Sequence, residues 1–201
     1  MKSSICTLVA LLALSIPAFS LDVPKTTNIE IGVGYAHVTG NQGMNGFNAD
    51  VAAFFSRRVA VAFDYDGVYN TSVLGAFTGT SLGQVVSKAH QQDFVAGPRI
   101  YLPGVIKSKN KDVRQLNPFG ELAFGESHLG SSVRNAVIPL NLTSSDTSFA
   151  WLLGGGADYK ISSHWVARVK VDLLRTHFVD AGQSHLRLEL GVAYNLKPRR
   201  F

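Results

Sequence analysis

From Asn28 onward, apolar and polar side chains alternate. In Asn28–Thr39 the odd places hold Ile29, Ile31, Val33 and Tyr35, and Glu30, Gly32, Gly34 and Ala36 stand between them. The same two-residue period runs through Phe47–Phe55, Val59–Tyr69 and Gln92–Leu102, then through Gln115–Gly125, Ser148–Ile161, Trp165–Arg175 and His185–Leu196. Side chains along a strand point to opposite faces, so period two predicts strands with one apolar and one polar face. About eight such segments of roughly ten residues match the length at which a tilted strand crosses a bilayer.

The connections differ in kind. Ser56–Arg58 and Ser162–His164 are tight, whereas Asn70–Ser87 and Glu126–Thr147 are rich in Gly, Ser, Thr and Asn and read as long loops. Gly40–Gly46 and His177–Ser184 are intermediate. Short turns at one end and longer loops at the other predict an all-β, eight-stranded, antiparallel, up-and-down transmembrane β-barrel with its loops outside. Pro103–Arg114 departs from this, being long yet on the short-turn side.

Alternation alone also fits a soluble lipocalin-like carrier, whose apolar face points inward. Three patterns favour the opposite sense. Gly32, Gly34, Ala36, Ala52, Ala60, Ala62, Gly97, Gly154, Gly156, Gly191 and Ala193 share the charged face, as a narrow filled interior requires. Aromatic residues cluster at the ends of the apolar face. Tyr35, Phe47, Tyr65, Phe94, Phe124 and Trp151 stand toward the loops, and Phe55, Tyr159, Trp165 and Tyr194 toward the turns. Two such rings are expected where lipid meets water. Of the fourteen acidic residues, Glu30, Asp50, Asp64, Asp66, Asp93, Glu121, Asp158, Asp172 and Glu189 lie on the small-residue face with Arg99, Lys160, Arg168, Lys170 and Arg187.

The first twenty residues stand outside the pattern. Lys2, a mostly apolar run from Ile5 to Ile16, and Pro17-Ala18-Phe19-Ser20 have the form of a cleaved secretory signal. Residues 21–201 are then a single barrel domain. The only cysteine, Cys6, lies near the start of the run, so neither a lipid anchor nor a disulfide is expected. The formal charge is +5, one less without Lys2, and an exported chain is not expected to meet nucleic acid. There is no phosphate loop, dinucleotide fingerprint or zinc spacing. Gly154-Gly155-Gly156 falls inside an alternating segment, so no cofactor or metal is expected.

The segments Gly154–Ser162, His164–Arg168 and Val171-Asp172 resemble the later strands of small OmpA-like bacterial outer-membrane barrels. Leu186-Arg187-Leu188 through Gly191 resembles their last strand, and Gly97-Pro98-Arg99 and Pro118-Phe119-Gly120 also match. The resemblance implies a place in a bacterial outer membrane among its lipids and lipopolysaccharide. It also implies insertion by the barrel-assembly machinery, which reads a C-terminal aromatic. Here Lys197-Pro198-Arg199-Arg200 separates Phe201 from the last alternating segment, so Tyr194 and Leu196 are alternative carriers of that signal.

No catalytic site is expected. In Ser127-His128 and Ser184-His185 the neighbours point to opposite faces, so neither pair is a ready dyad. The candidate site is the charged face itself. Glu30, Arg99, Glu121, Asp158, Arg168, Lys170, Asp172, Arg187 and Glu189 are nominated as an interior network of structural ion pairs. The expected role is structural, adhesive or envelope-interacting, with an extracellular loop partner that the sequence does not name. A narrow small-solute pore and the exported carrier are the alternatives.

Overall fold

The computed structural model describes residues 28–40, 43–77, 83–102, 115–135, 141–178 and 181–198. The expected signal segment lies outside them. Eight strands follow in order: β1 Asn28–Val38, β2 Met44–Phe54, β3 Val59–Phe77, β4 Gly83–Tyr101, β5 Leu116–Asn135, β6 Asn141–Lys160, β7 Trp165–Phe178 and β8 Ala181–Asn195. Each pairs antiparallel with its neighbours, and β8 closes on β1 with Glu30 opposite Asn195 and Val33 opposite Val192. Closure joins the last strand to the first, so the band that all eight strands share has no free edge, the condition for backbone to cross hydrocarbon.

The apolar face points outward. Val33, Phe63, Leu153, Val169 and Leu190 are half or more exposed, while Ala52, Ala60, Ala62, Ala123 and Ala193 are buried within. This overturns the carrier alternative, which needs the apolar face inside. Small inward residues let the strands close tightly. A Cβ on Gly97 would fall 1.9 Å from the Leu122 carbonyl oxygen and 2.7 Å from the Ala123 Cα, both backbone atoms of the next strand.

The two tight turns share one construction. Phe55 and Ser56 donate their backbone N–H groups to the Val59 carbonyl, and the Ser56 hydroxyl accepts from the N–H groups of Arg58 and Val59. Ile161 and Ser162 donate likewise to the Trp165 carbonyl, and the Ser162 hydroxyl accepts from His164 and Trp165. Serine at the head of each turn satisfies donors that the ladder leaves over.

Two expected loops are mostly strand. Most of 70–87 belongs to β3 and β4, which pair from Val59–Ile100 to Phe77–Gly83 with one irregularity between Val73 and Gly75. Most of 126–147 belongs to β5 and β6, paired from Leu116–Tyr159 to Arg134–Asn141. These hairpins run beyond the apolar band, where both faces meet water and no alternation is needed. Residues 103–114, the long turn-side connection, lie outside the described residues.

Candidate functional site in the barrel interior

The inward face of every strand delivers at least one charged side chain to the axis. Among the described residues thirteen are buried: Glu30, Asp50, Asp64, Asp66, Asp93, Arg99, Glu121, Asp158, Arg168, Lys170, Asp172, Arg187 and Glu189. All nine residues nominated from the sequence are among them. Lys160 shares the face but is only half-buried at the rim.

The lower part is organised by two guanidiniums. Arg168 meets Asp158 at 2.7 Å and Asp50 at 2.8 Å, bonds Glu30, and donates to the Tyr101 hydroxyl at 3.2 Å. Arg99 meets Glu121 at 2.6 Å, Asp50 at 3.1 Å and Asp64 at 3.4 Å. Asp50 therefore bridges both. The Phe119 ring lies 5.0 Å from the Arg99 guanidinium carbon and 5.4 Å from that of Arg168, within cation–π range. The upper part is organised by Lys170 and Arg187. Lys170 Nζ lies 3.2 Å from Asp64, 3.1 Å from Glu189 and 3.5 Å from Asp172. Arg187 bonds Asp66 and meets Asp172 at 3.0 Å. Its Nε is 2.6 Å from Glu189 Oε1, an ion pair without hydrogen-bond alignment. Asp64 joins the two parts, so one continuous chain of opposite charges touches all eight strands.

Closure places Glu30 on the strand beside Arg187 and Glu189, as strand order requires. Glu30 stands opposite Asn195 and reaches across the tube to Arg168, with Arg99 at 3.9 Å. Asp50, Asp64 and Asp66 belong to the network but were not nominated. Each stood on the charged face in the sequence, and no cation on β2 or β3 shares that face to suggest a partner. Tyr101 was also missed, its role emerging only from Arg168 and its ring neighbours. Asp93 stands apart, accepting from Ser127 Oγ and, at 3.0 and 3.1 Å, from Gln91 Nε2.

The two ends of the interior differ. At the turn end Phe54, Tyr101 and Phe119 form a floor, with centroids 5.4 and 5.3 Å apart, packed on Ala52, Ala60 and Ala62. At the loop end a cavity of about 240 Å³ is lined by Val38, Met44, Asn70, Gln91, Gln183 and His185. The two Ser-His pairs are split as the strand geometry predicts. Ser127 is buried against Asp93 while the His128 ring bonds Thr147. His185 bonds the Thr39 carbonyl and Gln183, and Ser184 is exposed. No cluster of three or more metal-binding side chains occurs among the described residues.

On the outside the aromatic rings are in place. Tyr65 lies 5.6 Å from Phe47 and 4.6 Å from Phe94, and Phe124 stacks on Phe149 toward the loops. Trp165, Tyr194 and His164 cluster toward the turns.

The fold has solved counterparts. Ail, the attachment invasion locus protein of Yersinia pestis, solved with the heparin analogue sucrose octasulfate, matches at TM-score 0.57 and 16% identity, over 85% of this chain and 99% of that one. A major outer membrane protein of Thermus thermophilus matches at TM-score 0.57 and 13% identity, over 85% and 100%. OprG of Pseudomonas aeruginosa matches at 0.50 and 12%, over 86% and 97%. No curated protein matches the chain. The family model for the outer membrane protein beta-barrel domain matches residues 6–195. With that match, a closed eight-stranded barrel, an outward apolar face between aromatic rings and an interior of ion pairs, the chain belongs to the outer membrane protein beta-barrel family and resides in a bacterial outer membrane.

Proposed function

We propose that this barrel is a closed, non-conducting envelope protein that acts through its surfaces, with its interior serving stability. The observation that carries this reading is the filled axis. A chain of ion pairs spans all eight strands above an aromatic floor, and a cavity of about 240 Å³ lies beyond it at the loop end. Buried charges in a narrow tube are tolerated when each finds an opposite partner, and such a tube has little room for a water column. On this reading outer-membrane lipids and lipopolysaccharide cover the outward apolar face, and the β3–β4 and β5–β6 hairpins offer an adhesive or envelope-binding surface beyond the membrane. Ail, the attachment invasion locus protein solved with a sulfated heparin analogue, is a barrel of this fold. That likeness motivates testing the hairpins against host or envelope polymers.

Planar-bilayer recording tests the closed state. The purified barrel is expected to give no steady conductance, and a reproducible ion-selective current in wild type would establish the narrow-pore alternative. Arg168→Ala sharpens the test. A plug should lose stability when this cation is removed, whereas an aqueous channel should keep its stability and change its selectivity.

A further inference from the structure

The outer surfaces of the two barrel ends are charged unequally. At the turn end Arg57, Arg58 and Lys197 are exposed, Lys160 is half-buried at the rim, and among the described residues no acidic side chain lies there outside the interior. At the loop end exposed Lys88, Arg134 and Arg175 are accompanied by exposed Glu126 and half-buried Asp146.

Three of the turn-end cations share one arc of the rim. Lys197 follows the end of β8, and its N–H donates to Asn28 Oδ1 on β1 at 2.9 Å. Asn28 pairs with Phe54 at the end of β2, and the β2–β3 turn carries Arg57 and Arg58. The Arg58 carbonyl in turn accepts from Tyr101 N–H on β4 at 2.7 Å. The arc therefore runs without a break from β8 through β1, β2 and β3 to β4.

Depth argues for the kind of partner. Exposed apolar Ile29, Phe55, Leu102 and Leu196 flank the cations along the same arc. A strand advances about 3.3 Å per residue, so Arg57, Arg58 and Lys197 stand within a few residues of the lipid-covered band, at headgroup level. Arginine binds phosphate through paired N–H donors, and cations beside an anionic leaflet enrich its acidic lipids while salt screens the effect. We propose that Arg57, Arg58 and Lys197 form a binding surface for anionic phospholipid headgroups in the leaflet facing the turn end.

The test uses protein purified from membranes and reconstituted in phosphatidylcholine vesicles. Spin-labelled phosphatidylglycerol and spin-labelled phosphatidylcholine are compared for the fraction immobilised on the barrel. Wild type should favour the anionic lipid by about twofold or more, with the preference collapsing toward one at molar salt. The triple variant Arg57→Gln, Arg58→Gln, Lys197→Gln should lose the preference, while Arg57→Lys with Arg58→Lys should keep it. Lys88→Gln, Arg134→Gln, Arg175→Gln should also keep it. A heat-shifted band on unboiled gels verifies that each variant is folded. Equal immobilisation of the two lipids by wild type overturns the proposal, as does a preference that survives the turn-end triple. Equal immobilisation together with sedimentation of wild type on purified peptidoglycan also overturns it, and assigns the patch to a cell-wall polyanion.

Discussion

Strand β5 passes through two kinds of sheet. From Asn117 to Glu126 it alternates strictly, with Leu122 and Phe124 exposed and Glu121 and Ala123 buried. From Ser127 to Asn135 the pattern dissolves, and Ser, Gly and His face the Ser and Thr residues of Asn141–Ser148. The backbone ladder to β6 is nonetheless continuous from Leu116 to Arg134. The comparison separates two causes that usually act together. Hydrogen bonding makes a strand, whereas the difference between lipid on one side and a packed charged interior on the other makes alternation. The two regions should therefore answer differently to the same insult.

The largest effect is expected in the interior. Arg168→Ala leaves Glu30, Asp50 and Asp158 short of a shared cation, and Tyr101 short of a donor. Breaking a buried pair costs about 3–5 kcal/mol in general, less where water reaches the site. The urea midpoint in vesicles or detergent should fall clearly. An unchanged midpoint would mean that these charges are hydrated independently, as in a channel.

Next comes Gly97→Val. The added Cβ meets backbone atoms of β5 at 1.9 and 2.7 Å, so the neighbouring strand must move. Overpacking costs typically about 1–3 kcal/mol. Gly120→Ala is the control, since the nearest heavy atom to its added Cβ is 3.9 Å away. Equal midpoints for the two variants would show that the tight strand approach at Gly97 is not required for closure.

The same division explains what was legible in the sequence. Strand identity and facing were readable in the membrane band, because Ile31 against Gly32 or Leu188 against Glu189 report two different surroundings. The ends of β3 to β6 were not, because Thr71, Ser87, Ser131 and Ser144 have water on either side and no surroundings to distinguish. The nine nominated network residues were found by face and sign. Their pairing has two origins: Asp158–Arg168, Asp172–Arg187, Lys170–Glu189 and Arg99–Glu121 stand opposite each other on neighbouring strands and follow from register, whereas Arg168 also reaches across the tube to Glu30 and Asp50, more than a hundred positions away, which strand order alone does not reveal.

In the hairpin extension a broken ladder should be tolerated. Ser144, exposed and opposite Ser131, can be changed to Pro at the loss of one backbone donor. Unboiled Ser144→Pro protein should still run as the fast, SDS-resistant form, because the membrane band closes without that region. Loss of the fast form would show that the extensions hold the barrel shut. Labelling gives the orientation at still smaller cost. Cysteine at exposed Ser131 should react with an impermeant maleimide on whole cells, and cysteine at exposed Ser163 should not. The opposite result would invert the barrel.

The smallest effect should come from Arg175→Ala, and it is the one that isolates burial from charge. Arg175 lies on β7 like Arg168, but an odd number of positions along, so it points outward. It is exposed, opposite Trp151 on β6 and Ser184 on β8. The two substitutions remove the same guanidinium from the same strand and differ only in surroundings. Exposed charges contribute about 0–1 kcal/mol because water and salt screen them. The Arg175→Ala midpoint should therefore stay near wild type while that of Arg168→Ala falls. A large fall for Arg175→Ala would mean that the outward rim is itself a stabilising contact, with lipopolysaccharide phosphates the first candidate. Repeating the measurement in phosphatidylcholine without lipopolysaccharide would then abolish the fall.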